Sequence, residues 1–229
     1  MRIYRREFLV AAAVLVALSG CTGVAADPTA SPTAEPVAGP AIAVLTVGGT
    51  GVTAIDENGE EVSSLDYTSD GATTVAYLTA VFGSEPAVTT RPSDNSCHTE
   101  AARATWGDDA VELLYDFVGE RTELPTGQYV QLTVKSATVG DVSIETPTGF
   151  SVGEPETELV ASIPGVGTHV NSALPDNTYV DYEVAGGEYT DSNDADFGQD
   201  ENEYWGAQAF VNGGVIAELW APVVFQSAC

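Results

Sequence analysis

Apolar residues recur at three- and four-residue spacing in two segments of the chain, and this spacing predicts two amphipathic helices. The first segment, DGATTVAYLTAVFG, covers residues 70–83, and the second, VGEPETELVASIPG, covers residues 152–165. Each is 14 residues long, with glycine second and last. The apolar positions that define the two helical faces are Val75, Leu78, Val81 and Phe82 in the first segment and Leu159, Val160 and Ile163 in the second.

Alternating apolar and polar residues predict strands around each helix. The run VSSLDY precedes the first helix, and DVSIET precedes the second. Two further alternating runs follow the helices, GQYVQL at 127–132 and GVIAEL at 214–219. Ahead of the first helix, residues 51–65 predict a β-hairpin that turns at Asn58-Gly59.

The helices and strands form a weak internal repeat. The segment WGDDAV at 106–111 matches WGAQAF at 205–210 as Trp-Gly-x-x-Ala-apolar. The two copies are farther apart in sequence at this motif than at the helices. An acidic insertion at about 188–203 accounts for the difference. The pattern predicts an α+β protein of two tandem helix-plus-antiparallel-sheet units, at 41–140 and 141–229, with a preceding β-hairpin.

The N-terminus has the parts of an export signal. A basic start, MRIYRRE, precedes an apolar stretch from Phe8 to Leu18. This stretch of about 11 residues is shorter than the roughly 20 that a membrane-spanning helix needs. The residues Leu18-Ser19-Gly20-Cys21 that follow resemble the lipobox of bacterial lipoproteins. The resemblance implies that residues 1–20 are a cleaved signal peptide and that Cys21 is lipidated on its thiol, with diacylglycerol and palmitate as the lipid groups of the modified residue.

The segment RREFL at 5–9 resembles the twin-arginine export motif, whose substrates cross the membrane already folded. General secretion stays open as the alternative, because Tyr4 and Val10 depart from the usual flanks of the motif.

Residues 21–40 are expected to tether a folded part to the membrane. Proline recurs every fourth residue at Pro28, Pro32, Pro36 and Pro40, among Thr, Ala and Ser. Such a composition favours an extended spacer of about 3.1 Å per residue, or roughly 60 Å at full reach. The expected location is therefore the outer side of the cell membrane, reached through the N-terminal lipid.

The charge of the chain excludes one class of partner. The sequence has 7 Lys and Arg against 34 Asp and Glu, a formal net charge of −27, and removal of the signal peptide makes it more negative still. Such a field repels phosphate backbones, so no nucleic-acid partner is expected.

Two resemblances suggest a binding module. The segment GFSVGEPETELVASIPG at 149–165 is similar to the opening helix of SmpA-type outer-membrane assembly lipoproteins, and a tandem pair of such units resembles the β-lactamase-inhibitor-protein architecture. These imply a binding module with an exposed sheet face. Cys97 followed by Thr105-Trp106-Gly107 also resembles uncharacterised actinobacterial lipoproteins.

The chain has three cysteines, and lipidation of Cys21 leaves two. In an oxidising compartment Cys97 and Cys229 are expected to form a disulfide. A bond that closes so long a loop is worth roughly 4–5 kcal/mol in the chain-entropy model.

The chain contains a motif that serine hydrolases use, but it lacks the other catalytic residues and the βα units that accompany this motif in hydrolases. GFSVG at 149–153 fits the G-x-S-x-G nucleophile elbow of α/β-hydrolases. The only later histidine is His169, with no aspartate between them, and the repeated βα units of that fold are missing. Ser151 and Glu154 are better explained as a capping box for the second helix, with Ser69 at the matching position of the first.

Metal chemistry has weak candidates. The two histidines, His98 and His169, have no metal-binding spacing, so neither zinc nor copper is expected. The acidic insertion offers carboxylates for calcium, although its spacing does not fit an EF-hand loop. The weak calcium candidates are Asp191, Asp194 and Asp196.

Aromatic residues lie among these acids and give the candidate partner surface: Tyr189, Phe197, Tyr204 and Trp205. Aromatic rings among carboxylates suit a glycan or a basic envelope protein, whereas Trp106 and Trp205 are also expected to anchor the core. The predicted function is a non-enzymatic extracytoplasmic interaction module without a cofactor. The alternatives are a solute-binding lipoprotein of a transporter and an envelope hydrolase.

Overall fold

The structure is a computed structural model that describes residues 40–94, 98–119, 124–125, 127–163, 168–170, 177–186 and 205–224. The strands are Ile42–Val47 (β1), Gly51–Asp56 (β2), Glu61–Asp66 (β3), Ala87–Arg91 (β4), Ala101–Trp106 (β5), Val111–Tyr115 (β6), Val130–Val134 (β7), Thr138–Val139 (β8), Val142–Glu145 (β9), Thr168–Val170 (β10), Asn177–Gly186 (β11), Trp205–Asn212 (β12) and Val215–Val224 (β13). The helices are Gly71–Phe82 (α1) and Glu156–Ser162 (α2).

The hairpin predicted at Asn58-Gly59 is confirmed as the turn between β2 and β3. The Asp56 carboxylate accepts hydrogen bonds from the amides of Asn58 at 2.8 Å and Glu60 at 2.9 Å. Gly59 has a φ of +80°, which a residue with a side chain rarely adopts. The local sequence therefore specifies this turn.

Helix α1 is confirmed within one residue of each predicted end, but its cap is not the predicted one. The Asp70 side chain, and not that of Ser69, accepts the hydrogen bond from the Thr73 amide, at 2.9 Å. Gly83 ends the helix in the left-handed conformation, with a φ of +63°. The helix buries Leu78, Val81 and Phe82, on the predicted apolar face.

Helix α2 is shorter than predicted, and the capping box at its start is wrong. It begins at Glu156 after Pro155, five residues beyond Ser151. The Glu154 carboxylate does accept the Ser151 amide, at 2.7 Å, but the Ser151 hydroxyl donates to the carbonyl of Ile144 at 2.8 Å. The pair closes a turn ahead of the helix instead of capping it.

The strands form two sheets. A five-stranded sheet has the order β3-β2-β1-β9-β8, in which only β1 and β9 are parallel. An eight-stranded antiparallel sheet has the order β10-β11-β12-β13-β7-β6-β5-β4. Each helix precedes four consecutive strands of the larger sheet, and the two groups join where β13 pairs with β7.

The predicted α+β class is therefore wrong. Strands make up 50% of the described residues and helix only 13%, so the protein is mostly β. The strands of both halves share the sheets: β1 pairs with β9 in one, and β7 with β13 in the other. Sequence periodicity located five of the thirteen described strands, β2, β3, β7, β9 and β13, and contained no information about such distant pairings.

The two Trp-Gly motifs do not occupy equivalent positions. Trp106 ends β5, is 2% exposed and packs on Phe82 with 5.8 Å between ring centroids, so its predicted place in the core is confirmed. Trp205 begins β12, is only partly buried, and lies against Gly186, where an added Cβ would come within 2.1 Å of its indole nitrogen.

The hydrophobic core takes residues from both sheets. Fully buried Leu45 and Ile144 belong to the smaller sheet, and Leu113, Leu132 and Leu219 to the larger. Burying one such side chain stabilises a fold by about 1.5–3 kcal/mol. Buried hydroxyls also link the core to the β1 strand end, since Tyr182 donates to the Val47 carbonyl at 3.1 Å. This core covers one face of the larger sheet.

Candidate binding face

The other face of the eight-stranded sheet, here called the outer face, is the candidate functional site. Consecutive side chains of a strand point to opposite faces of a sheet. Six residues have core residues on both sides of them in sequence, so their own side chains belong to the outer face. They are Thr105, Glu112, Thr133, Trp220, Gln208 and Asp181, from β5, β6, β7, β13, β12 and β11 in spatial order.

These six residues form one continuous line across the sheet, here called the cross-sheet row. Each is paired with the next across neighbouring strands, from Thr105 opposite Glu112 to Gln208 opposite Asp181. Trp220 is the only apolar member and lies between Thr133 and Gln208. The row therefore places hydrogen-bonding side chains on both sides of an indole ring.

Asp181 and Gln208 form the most buried part of the row. The Gln208 amide donates to the Asp181 carboxylate at 2.7 Å, and the two residues are 5% and 2% exposed, respectively. Burial raises the pKa of Asp181 to about 7, against the lowering effect of the Gln208 hydrogen bond. This carboxyl group consequently changes its charge near neutral pH.

Three aromatic residues lie beside this pair and form the aromatic cluster: Tyr179, Phe210 and Trp220. Phe210 pairs with Tyr179 in the next line of the outer face. Ring centroids are 5.4 Å apart for Tyr179 and Phe210, and 5.8 Å for each of these residues with Trp220. The rings of Phe210 and Trp220 are nearly parallel, at 12°. All three side chains are partly exposed.

The acids on this face have donors within the chain. The Glu218 carboxylate, opposite Phe210, accepts the Trp220 indole N–H at 2.6 Å. Glu112 accepts from Arg103 at 2.8 Å and from Lys135 at 3.1 Å. Burial raises the pKa of Glu112, but these two hydrogen bonds outweigh it and the pKa lies below its usual value. The Glu112 group is thus a partly buried ion pair, with its charge balanced locally.

Most of the site residues predicted from sequence lie outside the described residues. These are Cys21, Cys97, Tyr189, Asp191, Asp194, Asp196, Phe197, Tyr204 and Cys229. Of the predicted partner surface only Trp205 is described, and it stands five residues before Phe210 on β12. The lipid site, the disulfide and the calcium candidates stay predictions.

The sequence analysis missed the aromatic cluster and the Asp181–Gln208 pair. The signal was the alternation in NTYVDYEV, where Tyr179 and Asp181 alternate with Val180 and Tyr182. Only the strand register, which sets Gln208 opposite Asp181 and Phe210 opposite Tyr179, brings these residues together.

Among the side chains that the structure describes, the other candidates from the sequence form no further site. His98 lies in a surface loop, where its Nδ1 is 2.6 Å from the Asp94 carboxylate. Within the described part of the chain, no three His, Cys, Asp or Glu side chains come together as a metal site would require. No helix among those residues is long and apolar enough to cross a membrane.

Comparisons with protein-family models, with curated proteins and with solved structures found no match. The resemblances to lipoprotein families, drawn from short motifs, stay predictions.

Proposed function

We propose that this chain is a lipid-anchored extracytoplasmic lipoprotein that acts as a non-enzymatic binding module of the cell envelope. The basic start, the short apolar stretch and the lipobox-like Leu18-Ser19-Gly20-Cys21 support the anchor. The proline-rich residues 21–40 support display at a distance from the membrane.

The observation on which the binding role rests is the aromatic cluster on the outer face. A solvated sheet face normally alternates polar residues with the buried ones. Here Tyr179, Phe210 and Trp220 stand together on the side opposite the core, next to hydrogen-bonding residues of the cross-sheet row. Aromatic residues ringed by polar groups are enriched at the centres of binding surfaces.

The proposed partners are an envelope protein or a glycan. The net charge of −27 opposes binding to nucleic acid and to anionic lipid headgroups, which leaves the N-terminal lipid as the contact with the membrane.

The anchor is tested by replacing the lipidated residue in a bacterial host that lipidates exported proteins. Wild type is expected in the membrane fraction with a label from an alkyne-tagged fatty acid, and Cys21→Ala is expected to lose the label. An unlabelled wild-type chain would refute the anchor.

The conservative Arg5→Lys and Arg6→Lys changes in the same assay separate the export routes, since unchanged export excludes the twin-arginine route.

The binding face is tested by a photocrosslinking amino acid at Thr133, the neighbour of Trp220 in the cross-sheet row. An adduct with a cell-envelope component is expected in living cells. Placing the crosslinker at Val62, which is 38% exposed on β3 of the other sheet, gives the matched control. Equal adducts at both positions, or none at Thr133, would refute the outer face as the binding surface.

A further inference from the structure

We propose that two copies of this chain pair edge to edge through β4, with the two β4 strands antiparallel, so that their eight-stranded sheets join into one continuous sheet. A two-fold axis beside Thr89 relates the two copies. This inference uses a strand edge that has no part in the proposed binding surface, so either can fail without the other.

Four strands lie at the edges of the two described sheets, and three of them have features that discourage pairing with another chain. Natural proteins protect sheet edges by making edge strands short, charged or irregular. β8 has two residues and β10 has three. β3 carries Glu61 and Asp66 at its ends, and its register with β2 shifts along the pair. β4 is longer than β8 and β10, and its one charged residue is Arg91 at its end.

β4 is regular and exposed. All five of its residues pair with β5 without a register shift. Residues 87–90 are exposed, and Val88 is 60% exposed. Valine and threonine are β-branched, and such residues favour the extended conformation. Because an edge strand turns N–H and C=O groups away from its neighbour, β4 offers backbone hydrogen bonds to a further strand.

Two prolines limit the length of this edge and select the register of an added strand. Pro86 precedes β4 and Pro92 follows it. Proline has no N–H to donate to a strand pair, so a further strand can pair regularly with residues 87–91 alone. When a second β4 pairs antiparallel over all five residues, Thr89 faces Thr89 of the other copy. Pro86 then lies opposite Pro92, so both ladders end at the same place.

The charges at the ends of β4 favour a second copy over a strongly charged peptide. Within residues 71–92 the only charged residues are Glu85 and Arg91. Arg91 donates to the Thr99 carbonyl at 3.0 Å and lies over the Phe117 ring, which hold it at the end of the strand. Antiparallel pairing brings the Glu85 end of each copy beside the Arg91 end of the other. A peptide of one charge sign would instead meet a like charge at one of the two ends.

The charge of the whole chain makes the dimer weak and sensitive to salt. Two chains of net charge −27 repel each other at long range. At physiological ionic strength salt screens charges that are more than about 8 Å apart. Five paired residues also give a small interface, and contacts that bury less than about 1,200 Å² are typical of transient complexes. We therefore expect a weak dimer that becomes tighter as salt is added.

The dimer places the two outer faces on the same side of the joined sheet. Residues that lie opposite each other in a strand pair share a face of the sheet. A ligand with repeated binding sites can then contact both outer faces at once, which increases its avidity.

Sedimentation velocity of the mature chain, residues 22–229, tests the dimer. From about 10 μM to about 1 mM, a range that suits a weak complex, wild type should shift from monomer towards dimer. The shift should be larger at physiological salt than at low salt. Thr89→Lys places two ammonium groups opposite each other and should weaken association by about fivefold or more.

The matched control is Ser64→Lys, which makes the same change of charge at an exposed residue of β3, the edge of the other sheet. It should leave association within about twofold of wild type, and thermal unfolding of each variant checks that it is folded. A wild type that stays monomeric throughout, or equal association of Thr89→Lys and wild type, would overturn the proposal. Association that weakens as salt is added would overturn it as well.

A cysteine substitution tests the register. Opposite Cα atoms of an antiparallel pair are about 4.5–5.5 Å apart, which suits a disulfide. Thr89→Cys should therefore give a disulfide-linked dimer under mild oxidation, with the bond mapped by mass spectrometry between the two substituted positions. Val62→Cys, at a residue that is 38% exposed on β3, is the control and should stay mainly monomeric. Equal crosslinking of the two variants, or none at position 89, contradicts the pairing through β4.

Discussion

At the scale of single residues, Asp181 is a carboxyl group in a position that disfavours its charge. It is 2% exposed, and burial raises its pKa to about 7. In the unfolded chain the pKa is near 3.8. Between about pH 4 and 7 the unfolded chain has therefore released a proton that the folded chain keeps. The free energy of unfolding falls as pH rises through this window, by at most about 1.4 kcal/mol per pH unit.

We expect Asp181→Asn to remove this dependence, because Asn can still accept from Gln208 but carries no titrating proton. Relative to wild type, the variant should gain up to roughly 3 kcal/mol of stability between pH 5 and pH 7. Urea unfolding of both proteins at pH 5, 6, 7 and 8 measures the difference. Parallel stability curves for the two proteins would contradict the raised pKa.

Glu112→Gln provides a control of opposite sign. The pKa of Glu112 is lowered in the folded state, so the stability it contributes is present above the unfolded pKa and is lost as pH falls through the folded pKa. The variant should therefore lie below wild type near neutral pH and approach it in acid.

Sequence alone could not identify these residues as a group. Thr105, Thr133 and Gln208 alternate with apolar neighbours as any solvent-facing strand residues do. Their burial and their alignment with Trp220 arise from pairing between strands that are far apart in the chain. By contrast, the repeated Trp-Gly motif led to the expectation that Trp106 lies in the core, although the same motif leaves Trp205 only partly buried.

At the scale of elements, the N-terminus of α1 is capped by the side chain of one residue, Asp70. Asp70 accepts from both the amide and the hydroxyl of Thr73, at 2.9 Å and 2.8 Å. Asp70→Ala should lower the free energy of unfolding by about 1 kcal/mol. The neighbouring Ser69→Ala should change it by much less, since Ser69 does not cap the helix. Denaturant titration of the two variants checks this, and equal losses would contradict the assignment of the cap.

The elements that sequence located best are those with local signals. The turn at Asn58-Gly59 and helix α1 have a glycine or a cap within the segment itself. Helix α2 was predicted too long because Pro155 and the turn at Ser151–Glu154 delay its start. The parallel pairing of β1 with β9 has no local signal, and neither does the junction of β7 with β13.

At the scale of the whole molecule, each half lacks strands that the other supplies. A chain limited to residues 41–140 retains β1 and β7 without β9 and β13. We expect this fragment alone to be unfolded or aggregated, because two strand edges are left open. Mixing it with residues 141–229 should restore β-sheet circular dichroism and a cooperative transition. A folded, monomeric 41–140 fragment would contradict this view.

The predicted Cys97–Cys229 disulfide also belongs to this scale, because it would tie distant parts of the chain together. We expect unreduced, denatured mature protein to gain no mass with iodoacetamide, and to gain two carbamidomethyl groups after reduction. Two thiols that react without reduction would exclude the bond.

The position of β13 also sets an order of events during biosynthesis. It follows every other described strand in the chain, yet it lies between β12 and β7 in the larger sheet. During synthesis or translocation of the chain, the edge of β7 that pairs with β13 stays unpaired until β13, the last described strand, has emerged. During this interval the incomplete sheet has an unpaired strand edge, which is a template for aggregation.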